Sequence, residues 1–167
     1  MDVKGATRQP LAEARQKKQK AVALFFVTAD CPISNRFAPE IERLCHDFEK
    51  RGVAFFIVHA DPQIKAAAAA AHAREYGFSC PVLLDREHDL VKLCGATVTP
   101  ETAVLSPQGK LLYRGRIDDR FARWGQMRAE PQQRDLRLAL DAVCAGQPVR
   151  VARTKAIGCY IEETGTP

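Results

Sequence analysis

The sequence contains no apolar run approaching the roughly 18 residues that a membrane-spanning helix requires. Its first twenty residues, MDVKGATRQPLAEARQKKQK, lack the apolar centre of a signal peptide. No membrane association is expected, and the compartment stays open between the cytoplasm and, for a chain whose leader has been removed, the periplasm. The 25 basic residues outnumber the 20 acidic ones, giving a net charge of +5, but both signs mix along the chain except at RQKKQK and in the tail. With no recognition motif on a basic face, nucleic acid is not an expected partner. None of the six cysteines, Cys31, Cys45, Cys80, Cys94, Cys144 and Cys159, belongs to a CxxC pair, and no cluster has the spacing of tetrahedral zinc ligands. Neither a metal nor another cofactor is therefore expected, and the chain shows no internal repeat or domain boundary.

What is present is enough hydrophobic residue, 46% of 167, for one well-filled core. The expectation is a single domain over 1–167, with a core of about 19–146 and an extended tail over 147–167. Ala21 to Val27 is a continuous apolar run, as in a strand buried on both faces of a sheet. From Pro32 to Lys50, Phe37, Ile41, Leu44, Cys45 and Phe48 recur at helical spacing before Gly52. Val53 to Ala60 repeats the strand pattern, and Gln63 to Tyr76, with six consecutive alanines, predicts a helix. Val82–Leu84 and Asp89–Cys94 give a further short strand and helix, so the first half alternates as a parallel α/β unit. Two strands follow, Thr102–Leu105 and Leu111–Ile117, joined by Ser-Pro-Gln-Gly as an antiparallel hairpin. Asp135–Ala145 predicts a last amphipathic helix, and residues 118–133 between hairpin and helix are expected to be a long surface loop.

Cys31 falls where the first strand meets the first core helix, a position where helix amides and the dipole favour a thiolate. Pro32 suits the first helical position, and Ser34, one turn on, can donate to the sulfur. Asp30 acts in the opposite sense. Cys45, Cys94 and Cys144 lie on apolar helical faces and Cys80 precedes a proline, so structural roles are expected for these four. His46 and His72 are expected to be exposed on helices. His59 ends a strand, nearest of the four histidines to Cys31, and His88 starts a helix. Arg114 and Arg116, in RGRIDDR, can stabilise a thiolate or pin the long loop through ion pairs, while Phe121 and Trp124 are expected to anchor that loop.

The stretch ALFFVTADCPISNRFAPEIERL resembles the active-site segment of thioredoxins, with Ser34 where the second cysteine of CxxC would stand and Pro39 at the kink. VTPETAVL resembles the segment holding their cis-proline, which would make Pro100 the cis residue, preceded by Thr99. With one strand-helix unit more than thioredoxin, the chain is similar to the redoxin group (AhpC/TSA type), and CPISN, RGRIDDR and a late Gly-Cys resemble a bacterial subgroup of it. The resemblance implies a thioredoxin-like α/β fold with a central mixed sheet flanked by helices. It also implies a protein or small-molecule thiol or disulfide as substrate.

Because Ser34 replaces the local partner, a resolving thiol must come from elsewhere, and Cys159, on the tail after a glycine, is the candidate. The leading expectation is a thiol-disulfide oxidoreductase with Cys31 as nucleophile. A peroxidase is the rival, since Thr28 supplies the TxxC half of the peroxiredoxin motif while Leu24 stands in place of its proline. A copper carrier using Cys31 and Cys159 lacks the CxxxC of its family, and a non-catalytic redoxin module remains a further alternative. All the redox readings require Cys31 to be ionisable and reachable.

Overall fold

The computed structural model describes residues 1–123 and 125–162. The chain runs α1 (Pro10–Gln16), β1 (Ala21–Val27), α2 (Pro32–Glu49), β2 (Val53–His59), α3 (Ala66–Glu75), β3 (Val82–Leu84) and α4 (Asp89–Cys94). It continues as β4 (Val98–Thr99), β5 (Glu101–Leu105), β6 (Leu111–Gly115), β7 (Phe121–Arg123), β8 (Gln126–Met127), α5 (Asp135–Cys144) and β9 (Cys159–Tyr160). Five strands form a mixed sheet in the order β3-β2-β1-β5-β6, with β1, β2 and β3 parallel and β5 and β6 antiparallel. The remaining four pair as two small ribbons, β4 with β9 and β7 with β8.

The apolar run of β1 has a simple cause: the strand is central, and all seven of its residues are buried. Its side chains alternate between two packed layers. Ala23, Phe25 and Val27 join Ile41, Leu44 and Phe48 of α2 and Leu136 and Leu140 of α5. Val22, Leu24 and Phe26 join Ala14 of α1 and Val91 and Cys94 of α4 on the other face. This double burial fixes the carboxyl end of β1, and hence the turn from which Cys31 emerges.

Several local expectations need correction. The helix expected over Gln63–Tyr76 is confined to Ala66–Glu75, and His72 is buried rather than exposed. An alanine run carries no apolar stripe, so the sequence did not reveal that Ala69 and His72, three residues apart, form its packed face. The strand expected to reach Ile117 ends at Gly115, where a Cβ would collide with Thr154 of the tail. The region expected to be only a surface loop contains the β7–β8 ribbon. Asp119 closes it, accepting hydrogen bonds from the Gln132 and Gln133 amides at 2.7 and 2.9 Å and pairing with Arg128 at 2.6 Å. Phe121 anchors this region against Phe37, with ring centroids 5.6 Å apart, whereas Trp124 lies outside the described residues.

The tail docks along the free edge of β6. The Arg114 amide donates to Ala152 O at 2.9 Å, and the Thr154 amide returns a bond to Arg114 O at 3.1 Å. The Thr154 hydroxyl accepts from the Arg116 amide and meets Tyr113 Oη at 2.7 Å. The chain then crosses to β4, where Val98 pairs with Tyr160 and Thr99 with Cys159 in antiparallel register.

Candidate active site

Cys31 caps α2. Its extended backbone (φ −80°, ψ 108°) precedes Pro32 at the first helical position, and its sulfur accepts from the Ser34 amide at 3.5 Å. The eighteen-residue helix directs the positive end of its dipole at this sulfur. Asn35 locks the turn by donating from Nδ2 to Ala29 O at 3.0 Å, while its Oδ1 lies 2.9 Å from His72 Nε2. Pro32 itself is exposed, and Thr99 and Pro100 are buried opposite, joined by a cis peptide bond.

The tail brings Cys159 to within 2.8 Å of Cys31, sulfur to sulfur, with both thiols free. In the thiol form Cys31 also donates to Thr99 O at 3.0 Å, a contact that opposes ionisation because a carbonyl oxygen can accept only from the protonated sulfur. Thr28 stands alongside, its hydroxyl 3.2 Å from that of Thr99. Gly158 explains the tail's close approach: its α-carbon lies so near the Thr99 carbonyl that no Cβ fits.

The two sulfurs are driven apart in acidity. Burial, the largest influence on Cys31, pushes its thiol up, but the Cys159 thiol, the Ser34 hydroxyl and the Ser34 amide together outweigh it and hold the Cys31 pKa below the ordinary thiol value. The Ser34 hydroxyl is buried and has no hydrogen-bond partner within ordinary distance among the described residues. Cys159 is pushed up to about 12 by burial, by donating to Cys31 and by the Cys31 and Asp30 charges. Asp30 thus acts chiefly on the partner thiol. The arrangement prepares one nucleophile and one proton-bearing partner.

Cys31 is only 1% exposed, so it is not openly reachable as the redox readings required. What covers it includes the Cys159 segment. Beside that segment opens a cleft of about 860 Å³ whose wall includes Cys159, Glu101 and Arg114.

The other candidate residues lie elsewhere or are engaged. Arg114 is committed to the Gly95 carbonyl and to Glu101 at 3.4 Å, and Arg116 pairs with Asp135 at 2.7 Å, tying the strand end to the start of α5. The His59 imidazole is wholly buried, has no hydrogen-bond partner among the described residues, and packs edge-on to His72 with centroids 5.0 Å apart. Burial lowers its pKa to about 4. Cys94 and Cys144 are buried in the core. Cys45 and Cys80, 35 residues apart in sequence and sharing no motif spacing, are brought together with Glu42, which no periodicity signalled.

Residues 2–114 match the AhpC/TSA family. Over 101 residues the chain is 26% identical to the thiol-disulfide oxidoreductase ResA of Halalkalibacterium halodurans, covering 60% of this chain and 56% of that relative's length. A solved structure from Sinorhizobium meliloti 1021 is 27% identical with a TM-score of 0.83, covering 99% of this chain and 90% of that one. A secreted disulfide oxidoreductase of Mycobacterium tuberculosis, 15% identical, superposes with a TM-score of 0.57 over 87% of this chain and 92% of its own, a likeness of fold alone. The mixed sheet, its helices and the structural neighbours together make the fold thioredoxin-like. With the matched residues spanning most of its length, the chain belongs to the AhpC/TSA family.

Proposed function

We propose that this chain is a thiol-disulfide oxidoreductase in which Cys31 attacks and Cys159 resolves. The observation that carries the reading is the 2.8 Å approach of two free thiols, one lowered and one raised in pKa. The Cys31 thiolate attacks one sulfur of a substrate disulfide; a Cys31–substrate disulfide forms and the other substrate sulfur leaves as a thiolate. Cys159 then gives up its proton, which passes to that leaving thiolate or to water, and attacks Cys31 Sγ. The second substrate thiolate departs, and a Cys31–Cys159 disulfide remains. The substrate has gained two electrons and the protein dithiol has lost them; an external dithiol returns them.

The raised pKa of Cys159 suits the resolving role, because ionisation of Cys31 ceases to oppose that of Cys159 once Cys31 is bonded to substrate. The 1% exposure of Cys31 means that a substrate must first displace the β9 segment from β4. Among the described residues that ribbon is held by two residue pairs and by the Ile161 amide donating to Thr97 O at 3.1 Å, so the displacement is local. A disulfide-bearing protein then finds the β4 edge vacant beside the nucleophile, with Val98 and Thr99 free to pair with it.

Insulin reduction with an external dithiol tests the reading. The chain should turn over, Cys31→Ser should not, and Cys159→Ser should accumulate a mixed disulfide detectable by non-reducing mass spectrometry. Hydrogen peroxide consumption exceeding disulfide reduction would instead favour a peroxidase.

A further inference from the structure

A second pair of thiols, unused by the redox cycle, lies at the junction of α2 and the segment leading into β3. The sulfurs of Cys45 and Cys80 and a carboxylate oxygen of Glu42 all lie within 4.8 Å of one another. Glu42 and Cys45 are three residues apart and share one face of α2. Cys80 is delivered by the chain just before β3, which is anchored to the sheet where the Ile57 amide donates to Pro81 O at 3.0 Å. Ser79 binds the same carboxylate through its amide at 3.0 Å and its hydroxyl at 2.7 Å, so the third donor is already oriented. Glu42 and Cys80 are partly exposed, which leaves a path from solvent, whereas Cys45 is buried.

We propose that Glu42, Cys45 and Cys80 form an exchangeable zinc site. Tetrahedral zinc takes thiolate sulfur at about 2.3 Å and carboxylate oxygen at about 2.0–2.2 Å, which sets its ligands roughly 3.5–3.8 Å apart, so the three donors need close only slightly. A carboxylate in the set argues for zinc over copper(I), which prefers soft ligands throughout. Three protein donors leave the fourth position open to water, unlike a sealed structural site. Binding moves no electrons: the two thiols release their protons to solvent as the two sulfur–zinc bonds form. Cys80, burial and the Glu42 and Glu49 charges all push the Cys45 thiol up. Ser79 supplies the outer contact that usually accompanies a ligating carboxylate.

Cobalt(II) titration of the reduced Cys31→Ser/Cys159→Ser protein tests the site without interference from the other pair. One equivalent should produce a thiolate-to-cobalt charge-transfer band that one equivalent of zinc abolishes. The band should disappear in the further Cys80→Ala variant. Ser79→Ala should weaken zinc binding about 10- to 100-fold, the range for loss of a contact to a metal ligand. Glu42→Gln should weaken it at least as much. Absence of the band, its survival in Cys80→Ala, or zinc binding by Glu42→Gln that matches the parent would each overturn the proposal.

Discussion

Helix α2 carries a thiol pair near each end, and the two pairs differ in what surrounds the helix-borne sulfur. At the N-terminus Cys31 meets amide donors, the helix dipole and the Cys159 thiol, all of which favour negative charge. Nearly four turns on, Cys45 meets no free amide, since those of a helix interior are already bonded, and Cys80, burial and the carboxylates of Glu42 and Glu49 all push it up. The same side chain is thus prepared for attack at one end and held as a thiol at the other. Burial alone does not make the difference, since both sulfurs are buried.

The largest effect that tests this contrast is Cys31→Ser, which should reduce disulfide-reductase turnover to background while Cys80→Ala leaves it unchanged; activity surviving the first change would place the nucleophile elsewhere. Gly158→Ala should come next. A Cβ there collides with the Thr99 carbonyl, so Cys159 is pushed off line, and a displacement of about 1 Å can cost about 100-fold in rate. Stopped-flow measurement of Cys31–Cys159 disulfide formation would show the loss, and an undiminished rate would mean that the tail has slack.

Acid should act at the Cys31 end. His59 contacts His72, which Asn35 of the first α2 turn holds, and its folded pKa of about 4 lies below the unfolded 6.5. The unfolded chain therefore binds the extra proton between these values, and stability contributed by neutral His59 is present above pH 6.5 and lost as pH falls towards 4, by about 3 kcal/mol in total. Urea unfolding of His59→Leu should show a flatter pH dependence over that window; an equally steep one would assign the acid response to other groups. The smallest effect is expected from Cys159→Ala, which removes a donor to Cys31 and should shift the pH profile of Cys31 alkylation upward, measured by iodoacetamide kinetics.

The parts of the molecule legible in the sequence are those where one pattern has one structural cause. β1 is continuously apolar because it is central, and α2 shows its packed face at helical spacing. Cys31 was legible because a strand-to-helix junction can be located from those two patterns alone. α1 escaped notice because it is a seven-residue helix that buries only Pro10 and Ala14 among charged neighbours. β7 and β8 escaped because of their five residues only Phe121 is buried, which leaves no alternation to see. His72 was misplaced because the residues around it on the helix are mostly alanine. The meeting of Cys45 with Cys80 depends on how α2 lies over the start of β3, a tertiary relation that no spacing encodes.

The docking of the tail has a mechanical consequence for the proposed cycle. A bond between Cys31 and Cys159 would join positions 128 residues apart and turn most of the polypeptide into a covalent ring, leaving little more than α1 and β1 outside it. Closing a loop of that size restricts the unfolded ensemble by about 5 kcal/mol in the chain-entropy description. Each turnover would therefore alternate the molecule between a linear, more readily unfolded form and a cyclic, more durable one, so its resistance to heat and proteases would report its electron count.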